Sequence, residues 1–328
     1  MTRSNKTIFT ATTMFIFLSS WGLSAVAGRD NDYLGQTPPT DEPSLFAPGI
    51  VSTSMNDRDF AVSPDLSEIY YSVLEAPFAT IVCLEKKDGK WQPQRIASFS
   101  GRYNDCEPFF SPDGKRLYFC SDRPLTGEGP PKDYDIWYVE RTGSGWSTPR
   151  NPGPPVNTDR NEFYPAVTAS GTIYITSHDM NILRCEFSEG GYQEPVALGD
   201  SVNSPMGDYN AYVAPDESYL IFTTHGRGHR AGQGDLVISF RKPDGSWSEA
   251  RALGAGVNSG SPEMCPFVSP DGKYLFFSSR RSDEGYDPSA RVTSYMQLLD
   301  RASGPRNKKF DIYWVRADVI EQARPVWD

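Results

Sequence analysis

Apolar and polar residues alternate in short runs along this chain, and one run–turn–run pattern returns five times. In each copy an apolar run leads into Pro-Asp-Gly or a variant of it, and a second run then alternates apolar and polar residues. Asp and Gly tolerate the backbone angles of a tight reversal, so the pattern predicts a β-hairpin. The five copies are VSPDLSEIYYS (62–72), FSPDGKRLYFCS (110–121), VTASGTIYITS (167–177), VAPDESYLIFTT (213–224) and VSPDGKYLFFSS (268–279).

A second pattern follows each hairpin and supplies two further strands. It consists of a short apolar run, a turn and an aromatic residue, as in DIWYVERTGSGWSTP (135–149) and DLVISFRKPDGSWSEA (235–250). Units of four strands beginning near residues 57, 105, 162, 208 and 263 have the spacing of propeller blades and not of a solenoid. The pattern predicts an all-β fold, a five-bladed β-propeller with four antiparallel strands per blade. Only 317–323 allows a helix.

The two ends of the pattern complement each other. The fifth unit has no fourth strand after DIYWV (311–315), whereas SLFAPGIVST (44–53) resembles the fourth-strand segment VALGDSVNS (196–204). We therefore expect the N-terminal strand to complete the last blade, which removes exposed sheet edges. The predicted organisation is a flexible segment over 28–43 and a single propeller domain over 44–328.

The repeated SPDG-K-x-L-x-F-x-S phrase resembles the repeat of TolB-type, WD40-like β-propellers of the bacterial cell envelope. The resemblance covers residues 44–316 and is strongest in units two and five. It is weaker where Ala169-Ser170-Gly171 and Glu217 depart from Pro-Asp-Gly. It implies export, and a binding platform for proteins or small ligands.

Residues 1–27 have the features of a secretory signal peptide. Arg3 and Lys6 precede an apolar run, and Ala25-Val26-Ala27 provides a small-residue cleavage pattern. A membrane anchor is the alternative, but the run is short for a span and contains several Thr and Ser residues. We expect cleavage after Ala27, no membrane insertion afterwards, and a periplasmic or extracellular location.

Composition narrows the range of partners. The formal net charge of −10 disfavours binding to nucleic acid. Separately, we expect the chain to be a monomer. The cysteines show no CxxC pair, and four of them lie in apolar, strand-like runs. Buried free thiols are therefore the favoured interpretation. The five cysteines are Cys83, Cys106, Cys120, Cys185 and Cys265.

Propeller connectivity sorts the loops onto two faces. The A–B and C–D turns share one face, here called the turn rim, and the B–C and D–A loops share the opposite face, the loop rim. The tight turns repeat from blade to blade, which favours an architectural role. The B–C loops are irregular and extend over 123–134, 225–234 and 280–310. Long loops are commonly functional or disordered, so we place ligand binding on the loop rim.

Two sets of residues recur near the start of strand A. One acid per blade could bind a cation such as Ca²⁺, but this regularity favours a structural bond to a loop amide or an arginine. The residues two positions later differ between blades and can form an asymmetric pocket, which makes Glu107, Tyr164 and Asn210 candidate ligand-binding residues. The acids are Asp57, Asp105, Glu162, Asp208 and Glu263, and the later residues are Asp59, Glu107, Tyr164, Asn210 and Cys265.

Arginines and histidines complete the candidate set. Arg123, Arg227 and Arg280 lie after strand B and could bind a carboxylate or phosphate, or could neutralise the acids. All three histidines fall on the predicted loop rim. They could hold Zn²⁺ or Mn²⁺, but the favoured interpretation is that they are separate surface residues that share no metal. They are His178, His225 and His229.

No nucleophile motif accompanies these residues, because GxSxG, HExxH and the P-loop are all missing from the sequence. The favoured function is an exported, non-enzymatic binding platform for a small polar ligand or a protein partner, with no cofactor. The alternative is a metal-dependent lyase or hydrolase of an acidic carbohydrate, in which the histidine-bound metal polarises the substrate.

Overall fold

The computed structural model describes residues 32–143, 145–227, 234–254, 256–282 and 291–327. Its strands are short and follow one another along the chain with tight reversals. They are β1 (Ser44–Leu45), β2 (Asp57–Val62), β3 (Glu68–Glu75), β4 (Phe78–Lys87), β5 (Lys90–Trp91), β6 (Arg95–Ile96), β7 (Asp105–Phe110), β8 (Arg116–Ser121), β9 (Asp135–Thr142), β10 (Gly145–Trp146), β11 (Glu162–Val167), β12 (Ile173–Ser177), β13 (Ile182–Cys185), β14 (Phe187–Ser188), β15 (Gly191–Tyr192), β16 (Val196–Ala197), β17 (Asp208–Val213), β18 (Tyr219–Thr224), β19 (Asp235–Phe240), β20 (Arg251–Ala252), β21 (Glu263–Val268), β22 (Tyr274–Ser279) and β23 (Asp311–Arg316).

Twenty of these strands form five antiparallel sheets, the blades of a five-bladed β-propeller, as the repeat predicts. Of the other three, β5 pairs with β4 beside blade 1, and β14 and β15 form a separate two-stranded sheet. Blade 1 contains β2, β3, β4 and β6, blade 2 contains β7 to β10, and blade 3 contains β11, β12, β13 and β16. Blade 4 contains β17 to β20, and blade 5 contains β21, β22, β23 and β1. In each blade the strands are called A to D in this order. The fourth strands are only two residues long, so the outer edges of the blades are short.

The last blade is closed by the N-terminal strand, which confirms the predicted closure. Leu45 of β1 pairs with Tyr313 of β23. Phe46 then enters the core with no exposed surface and contacts the Trp314 ring at 5.1 Å between centroids. The closure is therefore both a ladder of hydrogen bonds and an aromatic contact.

The recurring Ser-Pro-Asp-Gly turn is a small hydrogen-bonded unit. In blade 2, Ser111 Oγ donates to Asp113 Oδ1 at 2.7 Å, and the backbone N–H of Arg116 donates to Ser111 Oγ at 2.9 Å. The same serine–aspartate bond recurs in blades 1 and 5. The Asp side chain thus satisfies turn groups that the strands leave free, which explains why the motif repeats.

Within the described ranges, two α-helices and a short 3-10 helix (Asp32–Gly35) interrupt the all-β pattern. The short α2 (Asp318–Gln322) lies in the one segment where the sequence allows a helix. The insertion between β22 and β23, expected as a loop, contains α1 (Tyr295–Ala302), whose N-cap Ser294 accepts a hydrogen bond from the Gln297 N–H. All five cysteines are buried with free thiols, as expected.

Candidate functional site

The innermost strand of every blade carries the same irregularity. The A–B register shifts in each blade, and one residue of strand A adopts a left-handed φ of 50° to 59°. Non-glycine residues adopt this conformation at a cost of about 1–3 kcal/mol, so five copies indicate a bulge that the surrounding structure holds in place. The five bulge residues are Asp59, Glu107, Tyr164, Asn210 and Cys265.

A hydroxyl from the preceding blade holds several of these bulges. Ser72 of β3 accepts the Glu107 N–H at 2.9 Å, and Thr176 of β12 accepts the Asn210 N–H at 2.9 Å. Blade 2 has Cys120 at the equivalent place in strand B, and here the Glu107 carboxylate accepts the Tyr164 N–H at 2.7 Å. Glu107 therefore replaces a missing hydroxyl and links two blades at the centre.

Arg58 joins the bulge residues into one central cluster. Its Nε donates to Asp59 Oδ1 at 2.9 Å, and its Nη2 lies 3.5 Å from Glu107 Oε1 and 3.6 Å from Cys265 Sγ. Asn210 Nδ2 also contacts Cys265 Sγ, at 3.0 Å. The side chain of Arg58 is 16% exposed against 1% for Asp59, so Arg58 is the outer member of the pair.

Burial shifts the acid–base behaviour of this cluster. Desolvation, together with the negative charge of Asp59, raises the pKa of Glu107 to about 7, while the Arg58 charge opposes the shift.

Three of the predicted ligand-binding residues, Glu107, Tyr164 and Asn210, lie together in this buried cluster. Tyr164 donates its hydroxyl to the Pro266 carbonyl at 3.0 Å.

Sequence reasoning missed Arg58, although one signal was present. Strand A has Arg, Cys, Phe, Tyr and Met at the position after the recurring acid, and only blade 1 has a cation there. The bulge brings this side chain against the next residue along the strand, a contact that regular alternation does not predict.

The recurring acids at the start of strand A have the structural bonds that their regularity predicts. Glu162 accepts the Thr158 N–H and hydroxyl, and Glu263 accepts the same two groups from Ser259. Asp57 and Asp208 likewise accept the N–H of the residue four places earlier. In blade 2 an arginine replaces the loop amide, because Arg123 Nη2 donates to Asp105 at 2.5 Å.

Three arginines of the loop rim donate hydrogen bonds to backbone carbonyls and so hold neighbouring loops in place. Arg123 is 6% exposed and also donates to the Phe99 carbonyl. Arg281, rather than Arg280, is its counterpart in blade 5, since it contacts Ser279 and Glu263 in the same way. Arg227 donates to the backbone carbonyls of 200–202.

Arg280 differs from these three arginines. Its side chain is exposed, and its guanidinium lies 4.3 Å from the centre of the Phe310 ring. Of the predicted arginines, Arg280 is the one that the described residues leave accessible on the loop rim.

The histidines have separate partners. His178 contacts Arg160 and Asp179, whereas His225 Nε2 lies 2.9 Å from the Tyr209 hydroxyl. His229 lies outside the described residues. Across the described ranges, no three His, Cys, Asp or Glu residues are grouped so that they could hold a metal ion.

The loop rim carries a set of large, exposed apolar side chains that the sequence analysis did not single out. They come from three B–C or D–A loops, from the first residue of β4 and from α1, and Phe78 and Tyr295 are 70% and 72% exposed. We call them the rim apolar residues: Met55, Phe78, Leu125, Met206, Tyr295, Met296, Leu298 and Leu299. None of the helices in the described ranges has the length and apolar character needed to span a membrane.

A groove of about 660 Å³ lies on the opposite face, the turn rim. It runs between blade 2 and blade 3, from the Ser111–Arg116 turn and the end of β9 to the 167–171 turn. The tight turns of this face repeat from blade to blade, which favours an architectural role, and none of the predicted ligand-binding residues lies there.

Comparison with known proteins finds similarity in solved structures only. No protein-family model matches the chain, and no curated protein matches it. TolB from Acinetobacter baumannii is similar at 15% identity and a TM-score of 0.46, over 79% of this chain and 54% of that one, so this chain spans about half of that protein. A protein assigned as TolB from Agrobacterium tumefaciens matches at 14% identity and a TM-score of 0.46, over 83% of this chain and 91% of that one.

An enzyme domain shares the architecture as well. The catalytic domain of a Coprinopsis cinerea GH62 α-L-arabinofuranosidase is similar at 12% identity and a TM-score of 0.52, over 85% of this chain and 98% of that one. A likeness at this identity concerns the fold alone. By its repeat and its blade topology, the chain has a TolB-like β-propeller fold of five blades.

Proposed function

We propose that this chain is an exported binding platform that holds a protein partner on its loop rim. The observation that carries the proposal is the concentration of exposed apolar side chains there, on several separate loops and one helix. Exposed apolar residues gathered on one face, with polar residues between them, are typical of protein-binding surfaces.

The polar residues of the same face support a platform more than a catalytic site. Arg123, Arg227 and Arg281 are bound to protein acceptors, and the recurring acids are bound to loop amides or to arginine. These contacts fix the loops that present the rim apolar residues. A rigid frame with apolar anchors lowers the ordering cost of binding.

A small polar ligand at the centre is the second candidate. Asp59 Oδ2 is buried and has no hydrogen-bond partner among the described residues, and Arg58 beside it keeps 16% of its side chain exposed. A ligand hydroxyl or amine entering from the loop rim could satisfy that oxygen.

Co-purification from the native envelope tests the platform. We expect the double variant Phe78→Ser, Leu125→Ser to lose its partner, because truncating buried apolar anchors typically costs about 2 kcal/mol or more per hot spot. The matched control is Ile96→Ser, Val196→Ser, which removes two residues that are 50% and 65% exposed on the outer edges of blades 1 and 3.

Equal recovery of the same proteins with both variants would contradict a loop-rim partner. Recovery of the unaltered chain without any partner, together with binding of a small polar molecule that Asp59→Asn abolishes, would favour the second candidate.

Export has its own test. We expect the mature chain to begin at Gly28, and the intact mass of the secreted protein measures where it begins.

A further inference from the structure

The rim apolar residues are concentrated on one side of the loop rim. Four of the eight lie on α1, in the B–C insertion of blade 5. Three more are Met55 in the loop before β2, Phe78 at the start of β4, and Leu125 in the B–C loop of blade 2. Of the eight, Met206 alone lies between blades 3 and 4. We call the other seven the apolar arc, because they follow the rim from blade 5 across blade 1 to blade 2.

Hydrogen bonds join α1 to the start of blade 1. Asn307 Nδ2 donates to the Ser54 carbonyl at 2.9 Å and lies 3.5 Å from the carbonyl of Ala302, the last residue of α1. Asn56 Nδ2 donates to the Leu74 carbonyl at 3.1 Å, which continues the connection to the B–C turn of blade 1. The loops on either side of the ring closure are therefore held together.

A second set of bonds continues the arc from blade 1 to blade 2. The Ala79 N–H donates to Asn104 Oδ1 at 3.0 Å, so β4 contacts the loop that enters blade 2. In that loop, the Tyr103 hydroxyl donates to the Gly129 carbonyl at 3.2 Å, within the B–C loop of blade 2. The arc thus stands on one connected framework of loops, and this favours a single continuous contact with a partner.

Helix α1 exposes its apolar face and partly buries a polar residue, Arg301. Its apolar residues at 295, 298, 299 and 302 follow a helical stripe, and none of them belongs to the hydrophobic core of the described residues. An eight-residue helix is marginal in water on its own, because most helices in proteins are stabilised by packing of their apolar face. The α1 stripe therefore has the character of a face that another helix covers.

The insertion that carries α1 is basic although the chain is acidic. Residues 280–310 contain seven Lys or Arg and four Asp or Glu, whereas the whole chain has a net charge of −10. Arg280 and Arg291 are exposed before α1, and Lys308 is exposed after it. This local excess of positive charge favours an acidic surface opposite α1.

We infer that the partner docks on the apolar arc through an amphipathic helix whose polar face is acidic. The inference rests on the proposed platform and says which part of the loop rim the partner covers. Apolar residues of the partner helix, at the same helical spacing, would pack against the α1 stripe. Acidic residues beside that stripe would face the basic insertion and fix the orientation of the helix.

Fluorescence anisotropy with a labelled peptide of three Leu-Glu-Glu-Leu-Leu-Glu-Ala heptads tests the inference. A counterpart with Lys in place of Glu has the same apolar stripe and the opposite charge. We expect the acidic peptide to bind the chain and the basic peptide to bind at least about tenfold more weakly. Met296→Ser should weaken binding of the acidic peptide about fivefold or more, because an apolar contact on the arc is lost.

Met206→Ser is the matched control. Met206 and Met296 are the same residue type and are 61% and 62% exposed, but Met206 lies off the arc. We expect Met206→Ser to leave the binding of the acidic peptide unchanged. Circular dichroism verifies that both variants are folded.

The inference is overturned if the two peptides bind equally, if neither binds, or if Met206→Ser weakens binding as much as Met296→Ser. Loss of the native partner in Phe78→Ser, Leu125→Ser without binding of the acidic peptide would leave the platform in place and overturn only the acidic helix. Cosedimentation with vesicles of phosphatidylglycerol and phosphatidylcholine that Met296→Ser abolishes would also overturn the inference, by assigning the arc to a membrane surface.

Discussion

Two buried carboxyl groups meet where the last blade joins the first. Asp311 begins β23 and Asp57 begins β2, and burial together with their mutual repulsion raises the pKa of Asp311 to about 7. Burial likewise raises the pKa of Asp57 to about 6. One oxygen of each has no hydrogen-bond partner among the described residues. Both groups therefore bind protons more tightly in the folded chain than in the unfolded chain, and stability falls as pH rises from about 4 to about 7.

Asp311→Asn should relieve this repulsion. We expect the free energy of unfolding to rise by about 1 kcal/mol or more at pH 8, where Asp311 is ionised in the folded chain, and to change much less at about pH 4, near the pKa of the unfolded chain. The amide oxygen can still accept the Arg306 N–H that now binds Asp311 at 2.6 Å. Urea denaturation at the two pH values measures the difference. A gain of equal size at both values would show that the charge is not its cause.

At the scale of the element, the strand A bulge depends on its neighbour. Thr176 of β12 accepts the Asn210 N–H of the next blade, whereas no described residue bonds to the equivalent hydroxyl of Thr223 in β18. The two threonines occupy the same position and are both almost fully buried. They therefore form a matched pair for measuring what the hydroxyl contributes.

Thr176→Val should lower the free energy of unfolding by about 1–3 kcal/mol, because a buried N–H is left without an acceptor. Thr223→Val should be close to neutral, since that hydroxyl has no described partner to lose. Thermal or chemical denaturation of both variants makes the comparison. Similar losses in the two would mean that the bulges are held by packing and not by the hydroxyl.

The sequence predicted elements better than the contacts within the centre. Hairpins, blade count and closure follow from local alternation and turn chemistry, which act over a few residues. The Arg58–Glu107 contact depends on a left-handed residue in β2 and on the curvature that brings separate blades together. Helix α1 was missed because its segment is rich in Gly, Ser and Arg and its apolar residues face solvent instead of a core.

The whole molecule depends on the ring being closed. Phe46, just after β1, is fully buried, and its ring lies 5.2 Å from both Phe60 of blade 1 and Phe276 of blade 5. Phe60 and Phe276 are themselves stacked at 4.3 Å. The Phe46 side chain therefore packs between the first and last blades and contacts both.

Phe46→Ala should lower the free energy of unfolding by about 3–5 kcal/mol, the usual range for a large cavity in a core. Leu45→Ala, at a partly buried position in the same strand, should cost less. Calorimetry on both variants provides the test. If Leu45→Ala lowers the free energy of unfolding as much as Phe46→Ala, the Phe46 ring contacts are not the main interaction that stabilises the closure.

The closure also sets an order of events during biosynthesis. Ser52 donates its hydroxyl to the carbonyl of Ile312, a contact between residues 260 positions apart. A chain that is synthesised from its N-terminus supplies β1 long before its partner strand β23. The β1 segment must therefore remain unpaired while the first four blades form, and the ring closes only when the last blade has been made.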